Sequence, residues 1–256
     1  MCLILFAYRV VPGAPLMVAA NRDEYFARPA AAAALWADHP EILAGRDLAS
    51  RGTWLGVSTG GRFAALTNFR NPATHRNDAP SRGELVKAFL AGRMSAESYV
   101  HGLAREAGAY NGFCLLAWDG DRFFFYSNRA EAPLEVQPGV HGLANHLLDT
   151  PWPKVVKGRD GLERLTGLPF SIDDHLALLD DTVPAGERNL PHVGVDAERE
   201  RRLSSLRILS AEYGTRCSTV VRIAATGAID FAERSYRPDG DIAGEVRYRL
   251  TCGRPA

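Results

Sequence analysis

The residues best equipped for chemistry lie at the start of the chain. Cys2 supplies a thiol, and Asn21-Arg22-Asp23-Glu24 supplies an amide, a guanidinium and two carboxylates within four consecutive positions. Cys is small enough at position two for ordinary removal of the initiator Met1. That removal would put an α-amine and a thiol on one residue. With ordinary pKa values of about 7.7–8.0 for the amine and about 8.5 for the thiol, the amine can take the thiol proton near neutral pH. Nucleophile and base are then supplied without a histidine, the economy that an N-terminal nucleophile offers for cleaving an amide or another acyl bond. A nearby Arg would favour the thiolate further. The same residues also fit a small buried side chain at a strand start and a solvated turn after a second strand.

The elements that must position these groups follow from hydrophobic periodicity and turn residues. Residues 2–10 and 16–22 predict two strands around a turn at Pro12-Gly13, which places Cys2 opposite Asp23 with Arg22 and Glu24 beside it. A second hairpin is expected over 53–58 and 62–69, turning at Gly60-Gly61. Ser81 and Glu84 form a capping box for a helix, and a further helix follows over 95–106. Strands resume at 113–118, 122–127 and 140–145, with helices over 152–166, 172–180 and 197–213. The chain closes with strands at 217–225, 228–235 and 244–251, and 181–195 is read as a long exposed loop. This order lacks the strict alternation of a parallel sheet and suits antiparallel sheets with helices packed outside, in one domain spanning 1–256.

Composition narrows the function classes. Thirty basic and thirty acidic residues leave no net charge, which does not suit a protein that tracks a phosphate backbone, so no nucleic-acid partner is expected. No apolar run reaches the length of a membrane span, and MCLILFAYRVV lacks the basic start and cleavage site of a signal peptide; the expected location is the cytoplasm. The four cysteines, Cys2, Cys114, Cys217 and Cys252, have no metal-site spacing and are expected to be thiols. His141 and His146 flank Asn145 but lie five apart on an expected strand, so they point to opposite faces, and metal binding is not expected. Gly56-Val57-Ser58-Thr59-Gly60 fits the nucleophile elbow of serine hydrolases, yet a strand rather than a helix is expected after it.

Seven segments together carry a family resemblance: MCLILFAY, AANRDEYFARP, RGTWLGVS, ALTNFRNP, SRGELV, GLANHLLDTPWPKV and YGTRCSTVV, the last with Cys217 where many relatives have Ser. On these the chain resembles the NRDE family, also called the transport and Golgi organisation protein 2 family. That family is related to N-terminal-nucleophile hydrolases such as penicillin V acylase, bile salt hydrolase and acid ceramidase. The resemblance implies an α+β, four-layer αββα fold with two antiparallel sheets face to face between helical layers.

It also implies roles. Cys2 matches the nucleophile, Asn68 the Asn that helps form the oxyanion hole, Asn145 the Asn that holds the amine or substrate, and Arg216 the late Arg. The acylases carry Arg-x-x-Asp on the second strand, where this chain has Asn21-Arg22-Asp23-Glu24. Arg22 and Asp23 are taken as the catalytic pair, with Asn21 and Glu24 as substrate-binding alternatives. The implied activity is hydrolysis of an amide, or an acyl ester or thioester, in a small-molecule substrate. It needs no metal or organic cofactor. Some eukaryotic members are linked to lipid homeostasis or haem trafficking, so the alternative is a non-catalytic protein that binds haem or an acyl lipid on the same fold.

Overall fold

The structure of the protein is a computed structural model that describes residues 2–191 and 195–252. Met1 and residues 192–194 of the expected loop lie outside the described residues; within the rest of that loop there is only a 3-10 turn at Glu187–Asn189. The strands are β1 (Cys2–Val11), β2 (Ala14–Tyr25), β3 (Ala30–Leu35), β4 (Ile42–Asp47), β5 (Leu55–Ser58), β6 (Phe63–Asn68), β7 (Phe113–Trp118), β8 (Phe123–Ser127), β9 (Leu134–Glu135), β10 (Gly139–Leu143), β11 (Tyr213–Ile223), β12 (Ala228–Tyr236) and β13 (Ile242–Thr251). The α-helices are α1 (Gly83–Ala91), α2 (Ala96–Ala104), α3 (Pro153–Thr166), α4 (Ile172–Leu179) and α5 (Ala197–Arg202). The strands form two antiparallel sheets, and the class is α+β, as the resemblance implied. No helix among the described residues is long and apolar enough to cross a membrane.

The chain forms two compact units. The first takes the residues through Ala27, then Pro138–Ala144 and Leu148–Leu250; the second takes Arg28–Gln137, Asn145–Leu147 and the residues from Thr251 on. The first unit is built on a six-stranded sheet in the order β10-β1-β2-β11-β12-β13. Alternate residues of the central strands, among them Leu3, Leu5, Ala7, Met17, Ala19 and Val220, form a core with Trp152, Val155 and Leu162 of the α3 region and Leu176 and Leu179 of α4. The close approach of α3 requires Gly158, where an added Cβ would lie 2.7 Å from Leu5 Cδ1.

The second unit is built on a seven-stranded sheet in the order β3-β4-β5-β6-β7-β8-β9. Its core joins Ile42, Ala44, Leu66, Leu115 and Phe124 of the sheet to Leu85, Val86, Phe89 and Leu90 of α1 and Val100 of α2. The nucleophile-elbow pattern falls on the β5–β6 hairpin. Ser58 ends β5 and accepts from the Arg62 amide, Gly61 turns the chain with φ at +81°, and a strand follows, so the geometry of an elbow is absent there.

Three sequence expectations are corrected. The Ser81 hydroxyl does not cap α1: the helix starts at Gly83 with no side-chain cap, and the Ser81 carbonyl accepts from the Glu84 amide. Packing sets this start, because the Gly83 carbonyl accepts from the Thr53 amide and Gly83 lies so close to Gly52 that a Cβ on Gly52 would come within 2.5 Å of Gly83 C. The helix expected over 197–213 stops at Arg202, where Ser204 and Ser205 turn their hydroxyls onto the carbonyls of Arg201 and Arg207 and compete with the helical pattern. The alanine-rich β3 and its partner β4 were not expected as strands at all, since Ala-rich sequence favours helix when taken alone.

Candidate functional site

Cys2 is the first residue of β1 and pairs with Arg22, not with Asp23. The cause is a β-bulge near the turn. Val11 pairs with Ala14, but between Val11 and Tyr8 the strand carries one extra residue, and Arg9 takes a left-handed φ of +53°. A slip of one residue exchanges the faces of a strand. Arg22 therefore shares a face with Cys2, while Asp23 points to the opposite, helix-covered face together with Asn21.

The row continues across the sheet. Arg22 pairs on its other side with Cys217 of β11, and Cys217 pairs with Ser235 of β12, so one guanidinium stands between two thiols. Cys2 is half-buried and Arg22 buried. Burial pushes the Cys2 thiol above its ordinary value and the negative charge of Asp23 adds to that, while the Asp23 amide and Arg22 pull it down. Arg22 pulls toward the thiolate, as the sequence led one to expect, but burial outweighs it and sets the net direction upward. Cys217 is pushed up further, by burial first and by the charge of Glu233 on β12 second.

Behind this row lies a buried polar group. The Asp23 side chain is 0% exposed; its Oδ1 accepts from Thr215 Oγ1 at 2.7 Å and its Oδ2 lies 3.5 Å from Nζ of Lys154, itself 2% exposed. Burial raises the Asp23 pKa, opposed chiefly by the positive charge of Lys154. Thr215 in turn accepts from the Ile208 amide at 2.8 Å, which fixes the hydroxyl toward the carboxylate. Asn21, expected to contact substrate, is committed within the protein: Nδ2 donates to the carbonyls of Leu179 and Leu206 at 3.0 and 2.9 Å, and Oδ1 accepts from Ser218 Oγ at 2.6 Å. It anchors the end of α4 to β2. Glu24, the other expected contact, is half-buried and accepts from the amide of Tyr25.

Arg216 is the bulged residue between the pairs Thr215–Asp23 and Cys217–Arg22. The bulge turns its side chain along β2, where Nη1 donates to the Tyr25 carbonyl at 2.9 Å and the guanidinium lies over the Phe26 ring. Burial lowers its pKa, and the neighbouring Arg22 adds to the effect.

Asn68 and Asn145 meet each other in the second unit. Asn145 takes a left-handed φ of +56°, a conformation Asn tolerates better than most residues. Its Nδ2 donates to the Asn68 carbonyl at 2.8 Å and its own carbonyl accepts from the Arg70 amide at 2.7 Å. Asn145 is buried, whereas Asn68 is exposed at the end of β6. Next to them the His146 ring lies against Phe69, and the His146 carbonyl accepts from the Cys114 thiol, whose pKa burial pushes up to about 12.

The two histidines that flank Asn145 are not on one strand. His141 lies in β10, stacked on Phe6 and bonded through Nδ1 to Asp149 at 2.7 Å, and His146 lies beyond the strand's end. Among the described residues no three His, Cys, Asp or Glu side chains gather in a metal-holding group.

Sequence reasoning missed Lys154, Thr215 and Glu233. Lys154 carries a readable signal: it occupies the same helical stripe as Val155, Gly158, Gly161 and Leu162, so one of only three lysines in the chain sits on a buried helix face.

A sequence profile of the family described as Transport and Golgi organisation 2 matches residues 1–238. The chain is 39% identical over 259 residues to the Transport and Golgi organization protein 2 homolog of Bos taurus, covering 92% of this chain and 93% of that one. It is 36% identical over 267 residues to the Homo sapiens homolog, covering 95% of each. Among solved structures it is similar to a Caenorhabditis elegans N-acylethanolamine-hydrolyzing acid amidase ortholog, with a TM-score of 0.49, 9% identity, and 86% of this chain and 92% of that chain covered.

Proposed function

The chain belongs to the Transport and Golgi organisation 2 family, and from that premise we propose that it is a hydrolase of C–N amide or related acyl bonds in which Cys2, freed by removal of Met1, is the nucleophile. The observation that carries the reading is the direct pairing of Cys2 with Arg22 at the end of β1, backed by the buried Asp23–Lys154 pair. A hairpin that served only as structure would gain little from burying these charges, because each buried ion costs several kcal/mol, on the order of the stability of a small domain.

The free α-amine of Cys2 removes the proton from the thiol. Sulfur attacks the substrate carbonyl carbon, the C=O π pair moves to oxygen, and a tetrahedral oxyanion forms. The oxyanion collapses, the C–N bond breaks, and the protonated amine gives its proton to the departing nitrogen. A thioester to Cys2 remains. Water, deprotonated by the same amine, adds to the thioester carbonyl and expels sulfur, which regains a proton. Arg22 offsets negative charge on sulfur in both steps. Asp23, held by Thr215 and Lys154, stabilises the ammonium that forms once the amine has taken the thiol proton. Asn68 and Asn145 enter on the family resemblance: Asn68 as an oxyanion donor, a role typically worth about 3 kcal/mol, and Asn145 as the residue that holds the amine or substrate. Arg216 completes the set as a positioning residue at the β11 bulge.

The test is release of amine from a panel of N-acyl amides, acylated amino acids and thioesters by the protein from its native host. Turnover that disappears in Cys2→Ala and persists in Ser58→Ala supports the reading. Turnover unchanged in Cys2→Ala refutes it. No turnover, together with saturable binding of haem or of a fatty acyl lipid, favours the non-catalytic alternative.

A further inference from the structure

The second unit contains an open polar cleft that the proposed hydrolase chemistry does not use. Its volume is about 410 Å³, and its lining includes Arg76, Arg129, Tyr110, Tyr126, Thr74 and Gly108. Clefts for small molecules run from about 300 to 1,000 Å³, so the size suits a compact ligand.

The walls are fixed by two asparagines. Asn111 forms a reciprocal pair with the backbone of Arg76, accepting from its amide at 2.8 Å and donating to its carbonyl at 2.7 Å. Asn128 accepts from the Phe113 amide and donates to the carbonyls of Ala107 and Tyr110, holding the opposite wall. The guanidiniums are oriented as well. Arg76 donates through Nη2 to the carbonyls of Gly108 and Ala109, and Arg129 donates through Nη2 to Thr74 Oγ1 at 3.1 Å. Each keeps further N–H groups available.

The lining contains two guanidiniums and no carboxylate. Two tyrosines border the cleft, Tyr110 half-buried and Tyr126 buried; burial raises the pKa of both, with the charges of Glu84 and Glu106 adding to it at Tyr110, so they remain protonated donors at neutral pH. Arginines of this unit are held in two ways, by carboxylates, as Arg122 is by Glu97 and Glu135, or by carbonyls, as Arg62 is by those of Phe89 and Met94. Here the partners are carbonyls and a hydroxyl, which orient a guanidinium without cancelling its charge.

From this arrangement we propose that the cleft is a binding site for a small organic anion, with its carboxylate or phosphate head on Arg76 and Arg129 and its ring beside half-buried Tyr110. Planar guanidiniums match both heads through paired N–H···O bonds. Rings of this size stack on or abut tyrosine faces. The site is separate from Cys2 chemistry, and binding there is read without turnover.

The experiment is calorimetric titration of the full chain with phenyl phosphate and benzoate, with inorganic phosphate and phenol as controls. Saturation at one site by an aromatic anion is expected, with phosphate weaker because it lacks the ring and phenol weaker because it lacks the charge. Whichever aromatic anion binds tighter identifies the head group. Arg129→Met, at an exposed position, is expected to weaken binding about tenfold or more, the scale of one charge-assisted hydrogen bond. Gly108→Leu fills the cleft without removing a charge; a Cβ at Gly108 meets nothing within 4 Å, so the fold should tolerate it and binding should be lost. Absence of saturation by either aromatic anion in the folded wild type overturns the proposal. So does saturation that both variants leave unchanged, or binding of inorganic phosphate as tight as that of phenyl phosphate.

Discussion

Replacing Lys154 by Met removes the cation 3.5 Å from a carboxylate that has no exposed surface, while keeping most of the side-chain volume. At an effective dielectric constant of about 20, two unit charges at that separation attract by about 5 kcal/mol, before the cost of taking both from water. Breaking a buried pair from one side typically costs about 3–5 kcal/mol, because the remaining charge is left unpaired. Asp23 can escape part of this by taking up a proton, and that makes the loss depend on pH. Burial already holds the Asp23 pKa above its value in the unfolded chain. Its contribution to stability is therefore fullest in acid and declines as pH rises toward the folded value. Without Lys154 that value rises further, so the decline continues to higher pH. Urea unfolding of Lys154→Met should show a deficit of about 3–5 kcal/mol at about pH 8 and a smaller one at about pH 4.5, because the raised folded pKa lets Asp23 take up a proton as pH falls. In an Asp23→Asn background the same substitution should cost far less, because no charge is left behind. A deficit of equal size at both pH values, or one that Asp23→Asn leaves intact, would refute the account of this pair.

Three other outcomes follow from the same geometry. Asn145→Ala forces Ala into a left-handed φ and removes the bond to the Asn68 carbonyl, so denaturant titration should show a loss of about 2–3 kcal/mol, with Asn145→Gly losing less because Gly accepts that φ. Asn21→Leu strands the carbonyls of Leu179 and Leu206 and should cost about 3 kcal/mol in the same assay, whereas a residue that only touched substrate would cost almost nothing. In mass-mapped alkylation at about pH 8, half-buried Cys2 and Cys252 should label first, while Cys114 and Cys217, buried and with raised pKa values, should label only as the chain opens.

The hairpins of this fold were legible because alternation and turn residues act locally. β7, β8 and their Asp119-Gly120 turn are found where FCLLAWDGDRFFFYS places them, and α3 and α4 begin within a residue of the expected starts. The register at Cys2 was not legible. It depends on the bulge at Arg9, and nothing in YRVVPG marks a left-handed arginine, since the strain is held by pairing on both sides of it. That one residue decides which of Arg22 and Asp23 shares a face with the thiol. The hairpin brought Cys2, Arg22 and Asp23 to one strand end and the family resemblance added Arg216, but it left Asn21 and Glu24 as alternatives to Arg22 and Asp23. Only the hydrogen bonds of Asn21 to Leu179, Leu206 and Ser218, residues distant in sequence, separate a structural anchor from a functional side chain. Lys154 shows the reverse: a lysine on an apolar helix stripe was visible in the sequence as a contradiction that a buried partner resolves.

The central claim is that residue 2 presents a thiol and a free amine together. Nitriles selective for 1,2-aminothiols, such as a cyanobenzothiazole, condense only with a free N-terminal cysteine. The decisive measurement is the intact mass of the protein purified from its native host after exposure to such a reagent. The predicted result is a chain lacking Met1 that carries a single adduct mapping to Cys2. A chain that retains Met1 and takes up no adduct would contradict the account.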